Sequence, residues 1–201
     1  MTYTLHIIHP YTYKLDGDTF VVGPRKETHE RDTQVATFVG RALKSGAEVI
    51  HHRNKSSRFL EGVIQDGMFQ FDPLFDFLND PKISSVVTSP FGIPLPNEKP
   101  VGCSDETWKA AQQAYTSHSQ FQQELRNPSV SFLIGGVLEA CVSNFALYYH
   151  QHYRQTGEKM FYLPSLCVSF DTMTRRERER ALQAVEIKPL AYKRAVELLS
   201  I

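Results

Sequence analysis

The sequence predicts a three-layer α/β domain, Rossmann-like, with a central, mostly parallel sheet of six strands between helices. Three observations carry this expectation. Short apolar runs alternate along the chain with longer segments of helical periodicity. Glycine, or a stretch rich in proline and glycine, separates most of them. Finally, 201 residues are enough for one large core, so 1–201 reads as a single domain. Strands that alternate with helices form a parallel sheet covered on both faces.

The elements follow in order. "YTLHII" is a strand that stops at Pro10, and "YKLDGDTFVVGP" reads as a loop with a turn at Asp16-Gly17. Val35, Phe38, Val39 and Leu43 recur at helical spacing, and Gly46 supplies the stop. "AEVIHHRN" is the second strand. "SSRFLEGVIQDGMFQFDPLFDFLND" reads as one or two helices around Pro73, and "KISSVVTSP" as the third strand. After a loop rich in proline and glycine, Ser104 with Thr107 opens a helix that runs to about Leu125. "SVSFLIGG" is the fourth strand, "CVSNFALYYHQHYRQTG" a helix and "KMFYLPSLCV" the fifth strand. Thr174 and Glu177 form a capping box for the next helix. "VEI" and the helix "PLAYKRAVELL" finish the chain.

Composition narrows the function. With 22 basic and 22 acidic residues, the chain lacks the charge excess of a protein that holds nucleic acid on a basic face. "RRERER" reads as a solvated helix face of alternating charge. The three cysteines, Cys103, Cys141 and Cys167, show neither CxxC nor zinc spacing, which points to reduced thiols in a cytoplasmic protein. The opening "MTYTLHIIHP" has no basic stretch followed by a long apolar one, so no signal peptide is expected. Residues 129–149 are apolar, but Glu139, Asn144 and two glycines interrupt them. Strand, turn and buried helix is the better reading than a membrane span.

The stretch "SFLIGGVLEACVSN" carries the chemistry. It delivers Cys141 just past a buried strand, where a helix begins. A helix N-terminus lowers a thiol pKa and favours an incoming anion. By itself, a small apolar-flanked cysteine is better explained by core packing than by chemistry. "IGGVLEACVSNFALYYHQHYRQTGEKMFYLPSLC" resembles the isochorismatase-like cysteine hydrolases, whose pattern is roughly G-V-x-T-x-x-C-V, a helix with small residues, Gly and an apolar strand. Gly136 and Val137 match the start of the pattern and Cys141 and Val142 its end, with one residue fewer between them than the pattern has; Ala146 and Gly157 match further on, and counted from Gly136, Glu139 stands at the usual Thr. Upstream, "LHIIHPY" and "RALKSGAEVIHHRN" fall where the family has its first and second strands. The similarity spans about residues 5–170.

The resemblance implies an isochorismatase-like sheet with its site beyond the carboxyl ends of the strands. It also implies a divergent hydrolase of a small amide or related C–N substrate, with Cys141 as nucleophile. The N–H groups of Ala140 and Cys141 would form the oxyanion hole, often shaped by a cis peptide, which here falls near Val137-Leu138. The family base is an Asp, and His9 takes its place. An imidazole beside the thiol could accept the proton. The family lysine has no counterpart after the third strand, where Thr88 and Ser89 stand; Lys99 and Lys109 are out of register. Tyr11, Phe91, Val137 and Glu139 would line the substrate cleft, with Tyr13 and Phe20 in bordering loops. Nicotinamidase-like members bind a metal through an Asp and histidines after strand two. Asn54 and Ser56 replace such ligands, and His51 and His52 alternate across a strand, so neither metal nor cofactor is expected. The implied partners are a small-molecule ligand and further copies of the chain as a homo-oligomer, not nucleic acid or membrane. The alternative is a catalytically inactive relative that binds a small ligand or serves assembly.

Overall fold

The computed structural model describes residues 2–10, 13–16, 19–22, 29–54, 70–71, 73–89, 92–125, 127–169 and 172–200. Nine strands are defined among them: β1 (Tyr3–Ile8), β2 (Tyr13–Asp16), β3 (Thr19–Val22), β4 (Glu48–Asn54), β5 (Gln70–Phe71), β6 (Ile83–Thr88), β7 (Val130–Val137), β8 (Lys159–Val168) and β9 (Ile187–Pro189). The six α-helices are α1 (His29–Lys44), α2 (Asp105–Ala114), α3 (His118–Glu124), α4 (Ser143–His152), α5 (Thr172–Ala184) and α6 (Tyr192–Leu199).

Six strands form one sheet in the order β6-β4-β1-β7-β8-β9, and every neighbouring pair runs parallel. Strand alternation sends Leu5, Ile7 and Val49 to one face, where Val35, Phe38, Val39 and Ala42 of α1 and Ala195 and Leu199 of α6 cover them. Ile8, Ile50, Val86 and Leu133 go to the other, under Phe121 of α3, Phe145, Ala146 and Tyr149 of α4, and Leu182 of α5. Both faces are buried, so the strands read as nearly continuous apolar runs. The three-layer architecture expected from the alternating pattern is what the chain adopts.

Two details set the centre of the sheet. Gly135 sits at φ 120°, and a Cβ there would lie 2.2 Å from Ile8 O, so β1 and β7 can approach only because that side chain is absent. On the other side of β7 the register jumps from Leu133/Tyr162 to Gly135/Cys167. The extra residues of β8 span Pro164, which has no N–H to give to the ladder. At the far side of the sheet, Val87 of β6 is held by Thr116: Val87 N donates to Thr116 Oγ1 at 2.8 Å, and Thr116 N donates to Val87 O at 2.9 Å.

Several local expectations are corrected. The segment around Asp16-Gly17, read as a loop, forms an antiparallel β2–β3 hairpin that continues to β5 as a separate three-stranded sheet. Around Pro73 stands a 3-10 turn over Pro73–Asn79 preceded by β5, while 55–69 lies outside the described residues. The helix expected from Ser104 to Leu125 is two. Tyr115 is extended at φ −119° and ψ 147°, and Ser117 starts α3 with a capping box to Gln120. Thr174 is no cap, because α5 already begins at Thr172. Among the described residues no helix is long and apolar enough to cross a membrane.

Candidate functional site

In sheet order, β4 and β6 lie to one side of β1 and β7, β8 and β9 to the other. The chain therefore reverses direction of travel between β1 and β7. A parallel sheet opens its ligand crevice there, beyond the carboxyl ends of the two strands. His9 follows β1 immediately. Cys141 follows β7 within a wide π-turn, Leu138–Val142, that leads into α4. Both residues stand where the pattern of the sequence places them.

His9 is 5% exposed and adopts φ 42°, a left-handed conformation that histidine tolerates better than most residues but that still stores strain. Its N–H donates to His52 O at 3.2 Å, which ties it to β4. The ring reaches across β4 to β6, where Nε2 lies 3.0 Å from Thr88 Oγ1. Thr88, with Ser89 one of the two residues standing where the resemblance implied a lysine, thus joins β6 to His9 through a hydrogen bond. Nδ1 is buried and has no hydrogen-bond partner among the described residues. Burial pushes the His9 pKa down to about 4.

Cys141 is half-buried and in no disulfide. Burial raises its thiol pKa, offset in part by backbone groups of Cys141 and Val137. The loop after β6 presses against it: a Cβ on Gly92, which sits at φ 80°, would fall 2.8 Å from Cys141 O. The π-turn closes where Ser143 N donates to Leu138 O and Ala140 O, with Ala140 and Cys141 inside it. The Val137–Leu138 peptide is trans, as are all described peptides, so the cis bond expected upstream of the cysteine is not part of this site.

Val137 is half-buried and ends β7. Glu139 is buried and accepts a hydrogen bond from Ser169 Oγ, beyond β8. Tyr11 and Phe91 lie outside the described residues, as does Ser56. Arg31 went unnoticed in the sequence. Both its Nη atoms donate to Pro10 O at 3.1 Å, and Nη2 is 2.6 Å from Asp32 Oδ1, so it clips α1 to the residue after His9. A signal was available, since a cation in the first turn of a helix opposes the helix dipole.

The histidines of β4 do not form a metal site. His52 turns to the α3–α4 face, where its Nε2 lies 3.1 Å from His6 Nδ1, and alternation sends His51 the other way. Among the described residues, no three His, Cys, Asp or Glu come together closely enough to hold a metal ion. The described residues of β4 therefore do not supply the donor set that a bound zinc ion needs.

The chain superposes on solved structures over nearly its whole length. An isochorismatase family protein from Desulfovibrio vulgaris is 12% identical with a TM-score of 0.57, covering 100% of this chain and 99% of that one. The pyrazinamidase of Pyrococcus horikoshii in complex with zinc is 13% identical, TM-score 0.55, with 95% and 99% covered. The fold is isochorismatase-like. The same fold holds the MAR1 ribonuclease of Caenorhabditis elegans, 8% identical, TM-score 0.53, with 98% and 81% covered. No protein-family model and no curated protein matches the sequence significantly. Within this fold, the chain places Thr88 at the carboxyl end of β6, His9 just past β1 and Cys141 just past β7.

Proposed function

We propose that the crevice between β1 and β7 binds a small organic molecule, with Cys141 resting there as a neutral thiol and not as a standing nucleophile. One observation carries this reading: the His9 Nε2–Thr88 Oγ1 hydrogen bond occupies one ring nitrogen of the candidate base with a hydroxyl. Burial then moves the two pKa values apart, imidazole down to about 4 and thiol up, the reverse of what a thiolate–imidazolium pair requires. Val137 and Glu139, with Tyr11 and Phe91, are the residues proposed to line the ligand.

A second reading, a hydrolase of a small amide or related C–N substrate, draws support from Cys141 itself. It is half-exposed in the first turn before α4 and at the switch point of a fold that includes hydrolases. In that reading His9 is the base, and Ala140 and Cys141 N–H hold the oxyanion.

Iodoacetamide labelling at pH 7, read by mass spectrometry with and without a panel of small amides and acids, separates the two. Ligand binding predicts slow labelling of Cys141, with a rate that rises only at alkaline pH, and protection by at least one compound that is not consumed. Labelling of Cys141 ahead of Cys103 and Cys167, with turnover of any amide in the panel, would establish the hydrolase instead.

A further inference from the structure

We infer that His9 meets the ligand as a neutral hydrogen-bond donor through Nδ1–H, and so selects a small molecule that presents a carbonyl or carboxylate oxygen. The inference rests on the ligand-binding reading above and assigns His9 a role opposite to that of a base.

It follows from counting protons at one contact. Thr88 is fully buried, and its hydroxyl has a single hydrogen-bond partner among the described residues, His9 Nε2 at 3.0 Å. A buried hydroxyl must place its proton somewhere. If Thr88 Oγ1–H donates to Nε2, the hydroxyl is satisfied and the imidazole proton resides on Nδ1. If instead Nε2–H donated to Thr88, the hydroxyl proton would be stranded in the interior while Nδ1 stayed bare, which leaves two groups unmet where the first arrangement leaves one. The first tautomer is therefore selected, and Nδ1–H is the group left over.

That N–H belongs to a side chain 95% buried and has no hydrogen-bond partner among the described residues. Such orphans are rare and call for something that completes them. Its location argues for a ligand. His9 ends the central strand at the topological switch, in a left-handed conformation, and Gly136 leaves it room: a Cβ there would come within 2.7 Å of His9 O. One residue beyond Thr88, Ser89 Oγ is also buried without a partner and can donate as well. Neither group lacks a donor for its ligand, and what both lack is an acceptor. Burial keeps His9 uncharged, so the match is to a lone pair and needs no ion pair. A ligand that offered only N–H groups here would set donor against donor and be rejected.

The test is the ring 15N spectrum of the full-length protein labelled in histidine, titrated in turn with acetamide, acetate and methylammonium. The expected result is a single His9 tautomer with Nδ1 protonated and Nε2 bare, a shift of the Nδ1 signal with acetamide or acetate, and no shift with methylammonium. Thr88→Val should abolish the tautomer preference without unfolding the chain, as judged by the remaining histidine signals. An Nε2–H tautomer in the unmodified protein overturns the assignment. If a compound from the labelling panel protects Cys141 and the Nδ1 signal never moves, His9 is not the recognising donor, although the ligand-binding reading survives. If nothing protects Cys141 and nothing moves Nδ1, both fall together.

Discussion

His6 Nδ1 and His52 Nε2 face each other at 3.1 Å between adjacent strands, with neither ring exposed to water and with Phe121, Phe145 and Tyr149 as walls. Their outer nitrogens, His6 Nε2 and His52 Nδ1, have no hydrogen-bond partner among the described residues. Burial holds His6 at about 3 and His52 well below its ordinary value. With His9 and His51, which burial holds at about 4 and about 3, four interior histidines are kept neutral.

Acid sensitivity is the first prediction. Below about pH 6.5 the unfolded chain takes up protons that these folded histidines refuse, so their contribution is complete above that pH and lost as pH falls towards 4. Each withheld proton costs about 1.4 kcal/mol per pH unit, so four acting together exhaust an ordinary domain stability at roughly pH 5. Far-UV circular dichroism against pH should show cooperative unfolding near there, and the pair of changes His6→Leu and His52→Phe should move it to lower pH. A chain that stays folded at pH 3.5 contradicts the prediction.

A charged pair at positions 9 and 88 tests whether the thiol rests for want of a cation. In a His9→Asp, Thr88→Lys double variant, the added cation should lower the Cys141 pKa by about one unit or more, raising the iodoacetamide rate at pH 7 about tenfold. Thr88→Lys alone, which buries an unpaired cation, should cost more stability than the double change. Equal labelling rates before and after, in a variant shown to be folded, would remove the electrostatic explanation for a resting thiol.

Two glycines to alanine should move stability in opposite directions. Gly135→Ala drives a Cβ into Ile8 O at φ 120°, with backbone on both sides and no rotamer to escape by, and should cost more than about 3 kcal/mol or prevent folding. Gly40→Ala, inside α1 with nothing within 4 Å, should stabilise by up to about 1 kcal/mol. Urea unfolding midpoints report both, and a tolerated Gly135→Ala would mean that β1 and β7 can separate.

Purified without a metal-affinity step, the protein should carry no stoichiometric transition metal. His51 and His52 diverge, and His52 is committed to His6. Elemental analysis showing one zinc or iron per chain would refute this.

The sheet was legible because each central strand is a continuous apolar run between loop signals, which also let the resemblance set His9 and Cys141 just past the ends of β1 and β7. What failed was short or distant. The β2–β3 hairpin has four residues on each arm, too few to establish a period, although Asp16-Gly17 between Leu15 and Phe20 was a hairpin turn signal. Thr88 was noticed only as a missing lysine. Its bond to His9 joins residues 79 apart, and nothing local to either announces it. His6 and His52 were individually visible as polar residues inside apolar strands. Their contact depends on register: His6 pairs with Ile50, so the ring it meets is the next one on the same face of β4.

Thr116 has a consequence for how copies of this chain can meet. By engaging both polar groups of Val87 it occupies the outer margin of β6, and the same segment goes on to Leu95, which donates to Thr116 O at 2.9 Å and accepts from His118 N at 2.7 Å. The opposite margin is β9, three residues long and ending in Pro189, which has no N–H to offer. Neither border is a template on which a neighbour's strand could extend the sheet, the usual route to runaway aggregation. A homo-oligomer would then meet through surfaces other than these two borders, and its symmetry would not come from continuation of the six-stranded ladder.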